Sequence, residues 1–225
     1  MRNNGTPIAN RLLVALPRAE YGHMQAHLEE VTLNFGEVLY EPGDPIRYVY
    51  FPNDSLVSLL TLVDAHLALE VGMVGPEGMV GTALALGVGA SPVRALVQGA
   101  GTAMRMKAAP FLKEFHKDLA LEREVLLYAH ALMSQISQTA ACNRFHVIEA
   151  RLARWLLMTR DRVGANNFPL TQEFLSHMLG VRRVGVTNAA HALKRRKLIA
   201  YTRGNIDVLN GRGLEGAACS CYEKV

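Results

Sequence analysis

Two adjacent arginines, Arg182 and Arg183, stand just after a glycine and begin a segment with helical periodicity. The planar guanidinium group of arginine can make two hydrogen bonds to the edge of a guanine in the major groove of DNA. In a helix-turn-helix motif, the first turn of the second helix is the part that reaches base edges. Arginines at this position therefore predict DNA binding.

The segment from Leu170 to Ile199 supplies the elements that must position these arginines. We expect Thr171 to cap a first helix and Gly180 to end it at a sharp turn. The second helix is expected to begin near Arg182 or Arg183. The inward-facing positions are Phe174, Leu175, Met178 and Leu179 on the first helix and Val186, Ala189, Ala190 and Leu193 on the second. The outward-facing positions are Gln172, Glu173, Ser176 and His177 on the first helix and Arg183, Val184, Thr187 and Asn188 on the second.

An ordinary helical hairpin with a basic, solvated surface is the alternative interpretation of this segment. The charge distribution favours DNA binding, because residues 151–225 carry 13 Lys and Arg against 5 Asp and Glu. Residues 1–150 carry 11 against 15. Neutralising DNA phosphates requires clustered cations, and the cluster lies with the helix-turn-helix segment. The basic run at 194–197 fits backbone contacts and a solvated helix end equally well.

The N-terminal part of the chain has the pattern of short strands separated by turns. Residues 31 to about 107 contain apolar runs such as YVYFP and LVSLLTLV. Turn sequences rich in glycine, proline, asparagine and aspartate interrupt these runs. Many short strands at such spacing predict a β-barrel or jelly roll.

From residue 108 the pattern changes to that of a long helix, because glycine and proline are absent up to Gly164 except for Pro110. A heptad-like seam of apolar residues runs along it and predicts a dimer interface. The seam comprises Leu126, Ala129, Met133, Ile136 and Ala140. Packing of the seam onto the chain's own barrel is the alternative, and we expect it to hold in part.

After a break near residues 143–146, a further amphipathic helix is expected to enter the C-terminal domain with Trp155 buried. Three domains are therefore predicted. Residues 1–107 form a β-barrel with a sensor-like role, residues 108–144 form the long dimerisation helix, and residues 145–225 form the DNA-binding domain.

The chain has three cysteines, Cys142, Cys219 and Cys221, which make a poor disulfide framework and fit a reducing cytoplasm. No signal pattern or membrane-spanning stretch is recognised, so cytoplasmic localisation and no membrane partner are expected. Cys219 and Cys221 could bind a metal or oxidise, with help from Cys142. Incidental cysteines near the chain end are the favoured interpretation, so neither a metal nor another cofactor is expected.

Several segments resemble the family of the cyclic-AMP receptor protein and the fumarate-nitrate reduction regulator (Crp/Fnr). FGEVLYEPGDP at 35–45 is similar to an early strand pair of that family, and EARLARWLL at 149–157 to the helix that enters its DNA-binding domain. Residues 170–199 align without a gap to its helix-turn-helix, and YTRGNIDVLN at 201–210 resembles its wing hairpin. The resemblance covers roughly residues 10–215, and the C-terminal half is its specific part.

The resemblance implies an α+β fold with an N-terminal cyclic-nucleotide-binding-like β-barrel (jelly roll), a long dimerisation helix and a C-terminal winged helix-turn-helix. It also implies a homodimeric transcription regulator that reads a palindromic operator in double-stranded DNA, with RNA polymerase as a further candidate partner. Arg183 aligns with the family's guanine-reading arginine, whereas Val184 replaces a glutamate and offers only apolar contact. The candidate DNA-binding residues are Arg182, Arg183, Val184, Thr187, Asn188 and His191, with Thr171, Gln172 and Arg203 for phosphate contact.

The effector pocket departs from the family pattern. Nucleotide-binding members have Gly-Glu-x-Gly and an Arg-Ser pair, but here Met79 stands at the glutamate position and Ala90 at the arginine position. Ser91 is retained, and Arg94 is displaced by several residues. Methionine cannot bond a ribose hydroxyl and alanine cannot neutralise a phosphate, so cyclic nucleotide binding is not expected.

Other sensing chemistries have weaker support. Three cysteines are too few for an iron–sulfur cluster with four thiolate ligands. Haem sensing stays open, although five of the histidines show no recognisable ligand spacing: His23, His27, His66, His116 and His130.

Two other functional classes have less support in the sequence. No catalytic motif is found, and an enzyme is not expected. The isolated carboxylates Asp44, Glu70 and Glu77 are interpreted as turn or surface residues. The alternative function is a barrel that serves protein interaction or redox or metal sensing, with the helix-turn-helix tethering it to DNA.

Overall fold

A computed structural model describes residues 2–3, 6–7, 10–63, 68–202 and 204–224 of the chain. Two positions named above, His66 and Arg203, lie outside these described residues. The chain forms two compact units, one from residues 1–59 and 73–132 and the other from residues 60–72 and 133–225. The predicted division into domains at 107/108 and 144/145 stays a prediction.

From residue 29 onward, the elements follow the order that the sequence predicts: strands, then helices, then a small mixed domain, and two short helices precede these strands. The helices are α1 (Arg11–Ala15), α2 (Arg18–Gln25), α3 (Ala108–Lys117), α4 (Leu119–Phe145), α5 (Ile148–Val163), α6 (Gln172–Leu179), α7 (Arg183–Arg195) and α8 (Gly211–Glu215). The strands are β1 (Arg2–Asn3), β2 (Thr6–Pro7), β3 (Glu29–Leu33), β4 (Val38–Tyr40), β5 (Tyr48–Pro52), β6 (Leu56–Leu62), β7 (Ala68–Val74), β8 (Arg94–Gly99), β9 (Gly101–Lys107), β10 (Asn167–Pro169), β11 (Ile199–Thr202) and β12 (Asn205–Val208). Short 3₁₀ helices lie at Thr82–Leu86 and Tyr222–Lys224.

The strands of the N-terminal part form two main antiparallel sheets. One sheet has the order β3-β9-β5 and the other β4-β8-β6-β7. The two sheets do not close into a continuous barrel, but their arrangement is compatible with a jelly roll. The predicted α+β fold class is therefore confirmed.

The core of the first unit is closed by helix α3 and by the N-terminal helices. Phe111 on α3 lies with its ring centroid 6.5 Å from that of Phe51 on β5, and both side chains are fully buried. Asn10 caps α1 by accepting a hydrogen bond from the backbone N–H of Leu13. Its buried side-chain amide donates to the carbonyls of Pro52 and Gly78, and so fixes the start of α1.

The long helix differs from the prediction at its N-terminal end. One helix was expected over residues 108–144, but the structure has the ten-residue α3 and the 27-residue α4, separated at Asp118. The Asp118 carboxylate accepts hydrogen bonds from the backbone N–H groups of Ala120 and Leu121 at 3.0 and 3.1 Å. Capping of this kind satisfies the free donors of a new helix, so the chain restarts there instead of continuing α3.

In the second unit, helix α5 is the central element. Residues 151–159 of α5 are all buried, and the helix packs against α6, α7 and α8. A three-stranded sheet of order β10-β12-β11 completes this part. Trp155 is buried as predicted. Among the described residues, no helix combines the length and the apolar character needed to cross a bilayer.

Candidate nucleic-acid interface

Helix α6 and the turn after it are built as the sequence predicts. Thr171 Oγ1 accepts a hydrogen bond from the backbone N–H of Phe174 at 3.1 Å. Gly180 ends the helix with a φ of 60°, in the left-handed region that favours glycine. A Cβ atom at this position would lie 2.5 Å from Cδ1 of Leu69. The turn therefore favours glycine for two reasons: the backbone is left-handed, and the Leu69 side chain occupies the place of a Cβ atom.

Helix α7 presents the two arginines at its N-terminal end. Arg182 is the N-cap residue and Arg183 is the first helical residue, and both are exposed. Neither forms an ion pair with a carboxylate of the described part of the chain. Val184 follows with 63 % of its surface exposed. The opposite face of the helix is buried through Val186, Ala189, Ala190 and Leu193, as predicted.

One hydrogen bond joins the first turn of α6 to the outer part of α7. The hydroxyl of Thr187 donates to Oε1 of Gln172 at 2.8 Å, and the Thr187 oxygen also lies 3.0 Å from the carbonyl of Arg183. Within the described part of the chain, the side-chain NH₂ of Gln172 has no acceptor, and neither does the hydroxyl hydrogen of Thr171, whose oxygen caps α6. Thr171 and Gln172, two of the candidates for phosphate contact, thus keep a hydrogen-bond donor while their oxygen atoms stabilise the motif.

The remaining candidate positions of the helix-turn-helix are exposed, except for one that is buried and hydrogen-bonded to the backbone. Asn188 and His191 are exposed on α7. Ser176, expected to face outward, is buried, and its hydroxyl donates to the carbonyl of Glu173 at 2.7 Å. A small hydroxyl can satisfy itself on the preceding turn, which lets it occupy an inner position.

The wing and the basic run follow α7. Strands β11 and β12 form the predicted hairpin, with Gly204 at a φ of 77° in its turn. In the basic run, Arg196 pairs with Glu149 on α5 at 2.8 Å. This ion pair ties one of the four cations to the protein, whereas Lys194, Arg195 and Lys197 are exposed.

A buried polar contact that the sequence did not predict supports α5. The indole N–H of Trp155 donates to Oε1 of Glu70 at 2.7 Å, and both side chains are buried. The interpretation of Glu70 as a turn or surface residue is therefore wrong. Glu70 lies in β7, 85 positions from its partner, so no local pattern could reveal the contact.

The positions that replace the nucleotide-binding residues have structural roles of their own. Met79 is fully buried. Arg94 Nε pairs with Glu41 Oε2 at 2.9 Å, and the Ser91 hydroxyl donates to the carbonyl of Val93 at 2.7 Å. Arg94 and Ser91 are thus engaged with neighbouring groups of the chain itself.

The predicted dimer seam along α4 is exposed at alternate positions. Leu126 and Met133 expose 41 % and 55 % of their surface, and Ala140 is also exposed. Ala129 is buried within the chain, and Ile136 is half-buried. The exposed residues recur every seven positions, so they share one side of the helix.

A cluster of soft metal ligands lies in the second unit, beside the DNA-binding motif. Cys142, His146, Cys219 and Cys221, referred to below as the cysteine–histidine cluster, have all four ligand atoms within 4.8 Å of one another. The three thiols are buried and His146 is half-buried. Burial, together with a hydrogen bond to Cys219, raises the pKa of the Cys142 thiol to about 12.

The cluster was only partly foreseen. The sequence indicated Cys142, Cys219 and Cys221 as possible ligands but not His146, and it favoured the absence of a metal. The expectation that no cofactor is present is therefore not confirmed. The spacing Cys142-x-x-x-His146 was the available signal, because residues four apart share one face of a helix.

Two buried arginines of α5 lie close to the cluster. Arg151 donates through Nη2 to the carbonyl of Leu179, at the end of α6, and Arg154 donates to Thr139 Oγ1 at 3.1 Å. Each side chain exposes less than a tenth of its surface, and the Nε atom of each has no hydrogen-bond partner among the described residues. Burial lowers the pKa of Arg151 from its ordinary value, and the Cys142 thiol opposes this shift.

Comparison with known proteins agrees with this architecture. Residues 150–217 match the Crp-like helix-turn-helix domain. No curated protein matches the chain.

Many solved structures share the fold, including the following three. A protein from Eubacterium rectale, described as a transcriptional regulator of the Crp/Fnr family, has 14 % identity and a TM-score of 0.72 over 92 % of this chain and 97 % of its own. A CRP-family transcriptional regulator from Thermus thermophilus has 20 % identity and a TM-score of 0.72 over 87 % of this chain and 100 % of its own. FixK2 from Bradyrhizobium japonicum has 16 % identity and a TM-score of 0.70 over 86 % of this chain and 98 % of its own.

Proposed function

We propose that this chain, which has the fold of the Crp/Fnr-family regulators and carries their helix-turn-helix domain, is a sequence-specific transcription regulator that binds double-stranded DNA as a homodimer. The observation that carries the proposal is the exposed start of α7, where Arg182 and Arg183 have no carboxylate partner among the described residues and the opposite helix face is buried. An exposed arginine at the start of such a helix is suited to guanine.

Specificity is proposed to arise mainly from two consecutive positions. Arg183 would read a guanine, and Val184, which is exposed and apolar, would contact a thymine methyl group. Arg182, Asn188 and His191 lie nearby as further candidates. Thr171 and Gln172 retain donors for phosphate oxygens, which would fix the register of the helix on the duplex.

The homodimer is proposed to form along α4. Leu126, Met133 and Ala140 leave an apolar row exposed at heptad spacing, and a second copy of the same helix would cover it. Two recognition helices related by a two-fold axis would then bind half-sites about 34 Å apart, so the operator would be palindromic. RNA polymerase is proposed as a further partner only through the family resemblance.

The first part of the protein is proposed to be a sensor domain that does not use the family's nucleotide-binding residues. Arg94 and Ser91 are engaged within the chain, and the glutamate and arginine positions hold Met79 and Ala90. Thiol-based metal or redox sensing by the barrel is disfavoured because all three cysteines lie after residue 107.

The test is selection of bound duplexes from a random DNA library by the purified chain without added ligand. We expect a palindrome, and binding that weakens steeply as the salt concentration rises because cations are released from the phosphates. Failure to enrich any sequence, with and without cell extract, would contradict the proposal.

The role of Arg183 is tested with the selected duplex. Arg183→Ala should cost about 1–3 kcal/mol of binding free energy and relax the preference at one base pair in each half-site. Arg18→Ala is the matched control, because Arg18 is also an exposed arginine and the first residue of a helix. An equal loss of affinity for all sequences would make Arg183 a phosphate contact instead of a base-reading residue.

A further inference from the structure

The cysteine–histidine cluster has the geometry of a single-ion site. Cys142 Sγ lies 3.4 Å from Cys219 Sγ, and Cys221 Sγ lies 3.4 Å from His146 Nδ1. In a tetrahedral zinc site with ordinary bond lengths, neighbouring ligand atoms are separated by about 3.3–3.8 Å. The four atoms, all within 4.8 Å of one another, are thus close to the spacing that an ion at their centre would impose.

The type of ligand selects the type of metal. Three thiols and one imidazole form a Cys₃His set, which is common in structural zinc sites and unsuited to calcium or magnesium. An iron–sulfur cluster would hold its ligands farther apart, because they bind different iron atoms. We propose that the cysteine–histidine cluster binds one zinc ion per chain, through three thiolates and the Nδ1 atom of His146.

The charges around the cluster support a bound ion. Arg151 and Arg154 are both more than nine-tenths buried, and neither has a carboxylate within 4 Å in the described part of the chain. Buried charges in proteins are normally paired, because burial without a counter-charge is costly. A zinc ion with three thiolates and one imidazole carries a net charge of −1, so the occupied site supplies the negative charge that these guanidiniums lack.

The surroundings also match those of a metal site. Gln138 Nε2 donates a hydrogen bond to Cys221 Sγ at 2.9 Å. Such outer hydrogen bonds orient metal ligands and stabilise the thiolate form. Cys142 and His146 lie one turn apart on α4, while Cys219 and Cys221 reach the same place from the C-terminal segment.

Zinc binding exchanges protons for the metal. The three thiol protons leave to solvent, three zinc–sulfur bonds and one zinc–nitrogen bond form, and no electron is transferred. The proposal does not depend on DNA binding, and it can be tested on the free protein.

The test uses the full chain, purified under reducing conditions and freed of metal with a chelator. Titration with Zn²⁺ against a chromogenic competitor should saturate at one ion per chain. Titration with Co²⁺ should give the intense visible absorption of a tetrahedral thiolate complex, with loss of the colour when Zn²⁺ is added. No saturable binding, or the weak absorption of Co²⁺ bound by oxygen ligands, would overturn the proposal.

Variants locate the ion. Cys219→Ser and Cys221→Ser should each weaken the Co²⁺ thiolate absorption, the double variant should lose most of it, and Gln138→Ala should weaken Zn²⁺ binding about tenfold. Ser220→Ala is the matched control, because Ser220 is exposed between the two cysteines and should bind Zn²⁺ like the original chain. Unchanged Zn²⁺ binding by the Cys219→Ser/Cys221→Ser double variant would show that the metal lies elsewhere. If a cysteine variant does not fold, the Co²⁺ spectrum of the original chain still decides the result.

Discussion

The turn of the helix-turn-helix provides the sharpest stability prediction. At Gly180 the backbone has a φ of 60°, and an added Cβ would lie 2.5 Å from Leu69 Cδ1. A left-handed conformation costs a residue with a side chain about 1–2 kcal/mol. Moving the Leu69 side chain away from its preferred rotamer adds about 0.5–1.5 kcal/mol. Gly180→Ala should therefore lower the free energy of unfolding by about 2–3 kcal/mol.

A second glycine of the same unit separates the two contributions. Gly164 ends α5 with a φ of 70°, but its added Cβ would meet no atom of another described segment within 4 Å. Gly164→Ala should thus show the backbone cost alone, about 1–2 kcal/mol. Adding Leu69→Ala to Gly180→Ala should recover the steric part, as measured by a double-mutant cycle.

Urea denaturation followed by the fluorescence of Trp155 measures these effects. Trp155 is the chain's one tryptophan and is buried on α5, so its emission reports on the second unit. If Gly180→Ala and Gly164→Ala cost the same, Leu69 does not occupy the turn. If Gly180→Ala costs nothing, the turn is not left-handed and the motif is built differently.

Two further predictions concern the proposed dimer and the cap of α1. Met133→Glu should convert the proposed dimer to a monomer in light scattering, because it places a charge in the seam. Leu86→Glu is the control, because it changes a similarly exposed apolar residue and should leave the protein dimeric. If the Met133→Glu variant stays dimeric, the interface lies elsewhere. Asn10→Ala should lower the free energy of unfolding by about 2–4 kcal/mol, because it removes a helix cap and leaves the carbonyls of Pro52 and Gly78 without their amide donor. Urea unfolding followed by circular dichroism measures this loss. A loss below about 1 kcal/mol would mean that these hydrogen bonds contribute little.

The helix-turn-helix could be predicted from the sequence because its determinants are local. The Thr171 cap acts on a residue three positions away, and Gly180 fixes its own backbone conformation. The inner face of α7 follows from helical periodicity alone. The break at Asp118 was missed although its signal is equally local, since an aspartate before a helical segment is a common cap.

The contacts that the sequence did not predict join distant positions. Glu70 and Trp155 are 85 residues apart, and His146 and Cys221 are 75 apart. Neither pair has a periodic or motif-like signature, because the fold and not the local sequence brings them together. The burial of the two arginines of α5 could not be predicted for a related reason, because it depends on the packing of α6, α7 and α8 around that helix.

The location of the four metal ligands along the chain has a mechanical consequence. Cys142 and His146 precede the matched helix-turn-helix domain, residues 150–217, and Cys219 and Cys221 follow it. A bound ion would therefore link the two ends of the domain and close it into a loop. Closing a loop of this length in the unfolded chain stabilises the folded state by about 4–5 kcal/mol. Tension applied between α4 and the C-terminus would then pass through the ion and bypass the DNA-reading helices.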